Sequence, residues 1–243
     1  VTILETKNLS KHYDGVAAVD QLSITMKKGQ ITSIIGPNGS GKTTLTNLLS
    51  GLVPFNHGVV MLSGEKLNQI KPQTAAVLGI TRTFQEVRLF NQMTVLDNLL
   101  VVLTERNVFG ALFEKHKQHH LKIAEELLVK VNLWPSRDQL AVNLSYGQRK
   151  LLEIARALAM NAQIYLFDEP FAGLFPEMIK IVVAIMQELR AGGKSIILIE
   201  HNMDLIRQLS DKVIVMDTGK LLAEGNPDAV LAKREVIEAY LGE

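Results

Sequence analysis

The stretch that most limits what this chain can fold into runs from Ile31 to Ser50. A short, largely apolar run, Ile31 to Ile35, leads straight into Gly36-Pro37-Asn38-Gly39-Ser40-Gly41-Lys42-Thr43-Thr44, and the residues that follow have helical character. Strand, glycine-rich loop, helix is the order a phosphate cradle requires. Glycines let the backbone curl until successive N–H groups point inward, and the following helix adds roughly half a positive charge at its amino end. A triphosphate is the natural guest, with Lys42 reaching the β- and γ-phosphates and the Thr43 hydroxyl ligating Mg²⁺. A chance glycine-rich turn is the plain alternative, and the matching strand and helix on either side argue against it.

Further apolar runs bounded by turn residues lie at Ile164 to Phe167, Ser195 to Ile199 and Val213 to Met216. Runs of this kind are strands buried on both faces, the mark of a mostly parallel sheet covered by helices. Ile3 to Lys7, Leu22 to Met26 and Val59 to Leu62 are separated by turn signals such as Asp14-Gly15 and Lys28-Gly29, which predicts an antiparallel flank. Between Met93 and Met160 apolar residues recur at helical spacing, first Ile123, Leu127, Leu128 and Val131, then Leu151, Leu152, Ala155, Leu158 and Ala159. A helical subdomain is therefore expected at 93–160, inserted between core segments 1–92 and 161–243 of one composite domain. The polar, His-rich segment from Asn107 to His120 is expected to form a variable helix or loop.

The run Ile164 to Phe167 ends in Asp168-Glu169, and sites in parallel sheets open at the carboxyl ends of strands. Two carboxylates there can divide the work: Asp168 holds Mg²⁺ through water, and Glu169 polarises the water that attacks the γ-phosphate. The same pair could be a solvated strand end before a Pro170 turn, a reading the upstream loop weakens. A third element, Asn143-Leu144-Ser145-Tyr146-Gly147-Gln148, precedes the second helical stripe. Ser145 is a natural N-cap, Gly147 keeps the approach open, and a helix start of this kind can receive an anion. Alone it would be an ordinary capped helix.

Together, in this order and spacing, these elements make the chain resemble an ATP-binding cassette (ABC) ATPase over its whole length. The resemblance implies an α/β fold, with a RecA-like P-loop NTPase core, an antiparallel β flank and an inserted helical subdomain. It implies ATP and Mg²⁺ as cofactors. It also places Tyr13 where the family stacks an aromatic ring on adenine, Gln85 at the glutamine contacting Mg²⁺ and the attacking water, Leu144 to Gln148 at the signature, and His201 at the switch histidine. A lone Tyr or His is usually structural, so order and spacing carry these assignments. The family further implies a second ATPase subunit, the same chain or a related one, facing this one head to tail, so that ATP lies between the Gly36 loop of one and Ser145, Gly147 and Gln148 of the other.

The pattern departs from the family in two places. Tyr146 stands where the signature commonly has glycine, so this position cannot need the positive φ that glycine adopts cheaply. Phe175 stands where the loop after Glu169 usually carries an aspartate. These features, with Arg82-Thr83-Phe84-Gln85, Arg88-Leu89-Phe90 and the ending Val236 to Glu243, resemble ATPase subunits of branched-chain amino-acid importers. That implies transmembrane permease subunits as partners, an indirect link to a periplasmic or extracellular solute-binding protein, and a peripheral place on the cytoplasmic face of the cell membrane. Phe84 to Phe90 would then dock the membrane subunit, unless it is plain core packing.

Composition closes off other classes. The formal net charge of +1 offers no basic field for nucleic acid, and no cysteine is present for disulfides, thiolate metal sites or a thiol nucleophile. The amino terminus lacks the charged head and apolar run of a secretory signal, and no apolar stretch is long enough to span a bilayer, so a cytoplasmic chain is expected. His116, His119 and His120 tempt a metal reading, but Lys115 and Lys117 flank them without an acidic ligand, which favours a solvated face. The remaining alternatives are an ABC ATPase of a lipopolysaccharide or urea transporter, a soluble ABC ATPase acting on ribosomes or DNA, and a P-loop kinase or GTPase, which would lack the Ser145 helix and the His201 switch.

Overall fold

The computed structural model describes residues 1–103 and 114–241. Two compact units emerge, the first made of Val1–Arg82, Gln163–Glu169 and Met186–Glu243, the second of Thr83–Ala162 and Pro170–Ile185. The first unit is built on two sheets. Its amino-terminal sheet contains β1 (Thr2–Tyr13), β2 (Val16–Leu22), β3 (Thr25–Lys27), β5 (His57–Leu62) and β6 (Glu65–Leu67), all pairing antiparallel. The antiparallel flank is thus present, but the strand expected over Leu22 to Met26 is split. Gln21 sits at φ 48°, and the Thr6 hydroxyl breaks the ladder by donating to the Leu22 carbonyl (2.8 Å) and accepting from the Ile24 N–H (3.1 Å). The chain therefore leaves one register with β1 as β2 and re-enters another as β3.

The second sheet runs in the order β11-β10-β4-β9-β8-β7, with β4 (Ile31–Ile35), β7 (Ile80–Arg82), β8 (Ile164–Asp168), β9 (Ser195–Ile199), β10 (Lys212–Asp217) and β11 (Lys220–Gly225). All neighbours are parallel except β10 and β11. Every residue of β4, β8 and β9 is buried, as the uninterrupted apolar runs predict. Alternate side chains serve different layers: Ile34, Leu166, Ile197, Ile199, Ile214 and Met216 join the core shared with the amino-terminal sheet, whereas Ile35, Val213 and Val215 pack with Ile206, Val230 and Val236. Those partners lie on α7 (Met203–Leu209), α8 (Pro227–Leu231) and α9 (Arg234–Leu241). The unit is completed by α1 (Lys42–Leu49) and α2 (Pro72–Val77).

The second unit holds α3 (Val95–Leu103), α4 (Glu114–Lys130) and α5 (Tyr146–Ala159), which pack on one another. Ala124, Leu128 and Val131 are buried, as are Leu151, Leu152, Ile154 and Ala155, so both stripes seen in the sequence face a core. The helix α6 (Pro176–Ala191) follows the site loop. Of the segment Asn107 to His120, the part before Glu114 and the His116 side chain lie outside the described residues. His119 is exposed and His120 half-buried, their rings 6.1 Å apart, and among the described residues no group of three His, Cys, Asp or Glu side chains could hold a metal. Among the described residues no helix is long and apolar enough to cross a membrane.

Candidate nucleotide site

Because β4, β8 and β9 are parallel neighbours, their carboxyl ends meet at one edge of the sheet, and the three strands deliver the loop at 36–44, the acids Asp168 and Glu169, and His201 to that edge. The loop conformation depends on glycine at two points. A Cβ on Gly36 (φ 151°) would lie 2.0 Å from the Met216 carbonyl oxygen, and one on Gly41 (φ 97°) would lie 2.3 Å from that of Ala18. No side chain caps α1 at Gly41, so its amino end presents bare backbone, the form suited to a phosphate.

Lys42 is buried and curls back over the loop. Its Nζ donates to the carbonyls of Gly36 (2.8 Å) and Pro37 (2.9 Å) and lies 3.4 Å from the Ser40 Oγ. Burial pushes the ammonium below its ordinary pKa, and the carboxylates of Glu169 and Asp168 pull it back up. Two carbonyls thus hold the lysine where phosphate oxygens could replace them. Ser40 is buried, Pro37 and Thr44 are half-buried, and Asn38, Gly39 and Thr43 face solvent.

Asp168 is buried, and its Oδ2 accepts from the Arg82 guanidinium at 2.8 Å. Arg82 also donates to Asn47 Oδ1 (2.6 Å) and Ser50 Oγ (3.2 Å) on the loop helix. One cation at the end of β7 therefore ties the acid strand to α1. Glu169 takes φ 46°, a left-handed conformation costing a residue with a Cβ about 1 kcal/mol. Its N–H donates to the Ile199 carbonyl (3.0 Å), and its Oε1 lies 3.2 Å from His201 Nε2, so the imidazole donates to the carboxylate when Nε2 carries the proton. Glu200 anchors this turn by accepting at Oε2 from the N–H groups of His201 (2.8 Å) and Asn202 (3.1 Å). Tyr13 is 42% exposed, with Lys11 Nζ lying over its ring, 5.0 Å from the ring centre.

The other predicted residues belong to the second unit. Ser145 caps α5 in a reciprocal box: its Oγ accepts from the Gln148 N–H (3.3 Å), while Gln148 Oε1 accepts from the Ser145 N–H (3.0 Å). Tyr146 begins the helix in ordinary conformation, its ring against Gly173, and Gly147 is buried against Met178 and Leu174. Phe175 is 72% exposed. Gln85 is exposed, whereas Phe84 is half-buried beneath the Arg88 guanidinium (4.0 Å) and Phe90 is 45% exposed beneath that of Arg156 (5.0 Å), so the Phe84 to Phe90 segment is part packing and part surface. Within the first unit Thr43 and Asp168 offer hydroxyl and carboxylate oxygens, hard donors of the kind that fit Mg²⁺.

A parallel sheet whose carboxyl edge carries a glycine-bound phosphate loop, a buried acid and a glutamate–histidine pair defines a nucleoside triphosphatase. Residues 19–172 match the model of the ABC transporter family, and the chain belongs to that family as an ATP-binding, ATP-hydrolysing subunit. It is 38% identical over 99% of its length to 95% of a probable branched-chain amino acid transport ATP-binding protein LivG of Archaeoglobus fulgidus. It is 36% identical over 99% of its length to 98% of the high-affinity BraF protein of the same description from Pseudomonas aeruginosa. It is also 34% identical, over its whole length and 98% of the relative, to the lipopolysaccharide export system ATP-binding protein LptB of Haemophilus influenzae. Among solved structures, the ADP conformation of an ATP-binding cassette of an ABC transporter superposes over all of both chains with a TM-score of 0.86 at 35% identity. A dimeric post-hydrolysis cassette bound to ADP and Pi matches 93% of this chain and 99% of its own, with a TM-score of 0.82 at 25% identity.

Sequence reasoning did not single out Arg82, Asn47 or Glu200 as site residues. A buried aspartate at a strand end does call for a countercharge, but only the pairing of the three-residue β7 with β8 shows which arginine supplies it.

Proposed function

We propose that this chain is the ATP-hydrolysing subunit of an ABC importer that moves amino acids of the branched-chain class through separate transmembrane subunits, from a peripheral position on the cytoplasmic face of the membrane. The observation that carries the hydrolytic part is the 3.2 Å approach of His201 to Glu169 on the edge that bears the Lys42 loop. The relatives named for branched-chain transport support the substrate class. In this reading residues 1–92 and 161–243 act as the nucleotide core and 93–160 as a helical subdomain.

Tyr13 stacks on adenine, the backbone of 36–44 cradles the phosphates, and Lys42 exchanges its carbonyl partners for β- and γ-phosphate oxygens. Thr43, Asp168 and Gln85 would hold Mg²⁺, which would supply positive charge to offset that of the phosphates. Glu169 accepts the proton of the attacking water, and His201 holds that carboxylate in place. As in the family to which the chain belongs, a second subunit would complete the site, with Ser145, Gly147 and Gln148 of the second facing the nucleotide. The dimeric relative supports such a pair. A solute-binding protein would act through the permease, without touching this chain.

Glu169→Gln should keep ATP binding while lowering turnover at least a hundredfold and accumulating an ATP-bound dimer; undiminished turnover would remove Glu169 from the role. Lys42→Ala should instead weaken nucleotide binding itself. For the partner, the tagged chain recovered from detergent-solubilised membranes should bring permease subunits with it, and its deletion should abolish leucine uptake. The similarity to LptB makes lipopolysaccharide export the second reading. Intact leucine uptake together with loss of lipopolysaccharide delivery would replace the first with it.

A further inference from the structure

The sharpest unexplained charge in the second unit is Glu153, in the middle of α5, only 5% exposed. Its Oε1 accepts from two backbone N–H groups of the segment before α3, that of Phe84 (3.3 Å) and that of Arg88 (3.2 Å). One turn further along α5, Arg156 donates to the Arg88 carbonyl at 2.6 Å. Both backbone groups of Arg88 are therefore held by the same helix, and Gln85 lies between the two amides that Glu153 binds. At the far end of the segment Asn98, fully buried, accepts from the Phe90 N–H (3.0 Å) and donates to the Phe90 carbonyl (3.0 Å).

A carboxylate here is a poor choice for packing. Its Oε2 is buried with no hydrogen-bond partner among the described residues, and burial raises its pKa to about 7 even though two N–H groups, Lys150 and Arg156 pull the other way. A leucine would fill the space without that penalty. What a leucine cannot do is bind two amides at once.

We propose that Glu153 is a positioning residue that locks the backbone on both sides of Gln85 to the helix whose amino end carries Ser145. Gln85, read above as a contact to Mg²⁺ and the attacking water, and Ser145, read as the contact to the nucleotide of the second subunit, then move as one body. The clamp engages backbone atoms of the segment, so it sets the segment's position. The functional consequence rests on the proposed role of Gln85; the clamp itself does not.

The test compares wild type, Glu153→Gln and Glu153→Ala, with Gln85→Ala as a separate control. The glutamine keeps a carbonyl acceptor in the same place, so amide hydrogen exchange across 84–88 should stay as slow as in wild type and kcat for ATP should fall less than about twofold. The alanine removes the acceptor. Exchange across 84–88 should quicken about tenfold, the worth of two lost backbone bonds partly replaced by water, and kcat should fall about tenfold with KM for ATP changed less than twofold. Unchanged exchange at 84–88 in Glu153→Ala would overturn the clamp. So would exchange that quickens evenly through the chain, which marks general destabilisation, or a glutamine variant as impaired as the alanine. If Gln85→Ala leaves kcat intact while Glu153→Ala loosens 84–88, the clamp stands and the catalytic reading of Gln85 falls.

Discussion

Arg82 and Glu153 show how a single charge acts once it is out of water. Arg82 and Asp168 are almost completely buried, and removing one partner of such a pair leaves the other charge unsolvated. Arg82→Met should therefore lower stability by roughly 3 kcal/mol, read from the urea unfolding midpoint. Glu153 works in the opposite sense, because its pKa in the folded chain, about 7, lies above the ordinary 4.5. Between those values the native state holds a proton that the unfolded state has released, so stability falls as pH rises from about 4.5 to about 7. Removing the titrating group in Glu153→Gln should narrow that loss by roughly 3 kcal/mol. Urea unfolding of both proteins at pH 5 and pH 8 measures it, and parallel pH profiles would refute the assignment.

Among the elements, α5 is the one most exposed to a single change. Its first turn contains no acidic residue, so the Ser145–Gln148 box is what satisfies its amino end. Ser145→Ala should cost about 1 kcal/mol, seen as a lower melting temperature of the nucleotide-free chain, whatever Ser145 contributes to nucleotide contact. Elements differ in how far they could be read in advance. The strands β4, β8 and β9 and the stripes of α4 and α5 were legible because burial on both faces or on one stripe forces a periodic apolar pattern. The edge strands β6, β7 and β11 were not. Glu65–Leu67 and Ile80–Arg82 have three residues each, too few to show a period, and Lys220–Gly225 is half-exposed; all three are strands through pairing with a neighbour.

For the whole molecule, nucleotide binding and folding are linked, since a ligand that binds only the native state stabilises it by mass action. In Glu169→Gln, which should hold ATP without consuming it, Mg²⁺ and ATP at a hundred times the dissociation constant should add about 2.7 kcal/mol. A thermal shift that is absent in Lys42→Ala at the same concentrations would place the effect at the loop, and a shift equal in both would place it elsewhere.

The residues from 31 to 50 by themselves determined the strand, glycine turn and helix expected of a phosphate cradle, because these are local and contiguous, and their order carries the geometry. Ser145 as a cap and Tyr146 as a helical residue were likewise local matters. Tertiary structure alone decided that Lys42 rests on its own loop's carbonyls, that Arg82 is the countercharge of Asp168, that Glu169 and His201 meet, and that Glu153 binds the backbone around Gln85. Each of these joins groups brought together by folding, and for all but the first the partners lie tens of residues apart. Which partner a buried charge finds depends on strand order and register, and neither is written in any local stretch of sequence.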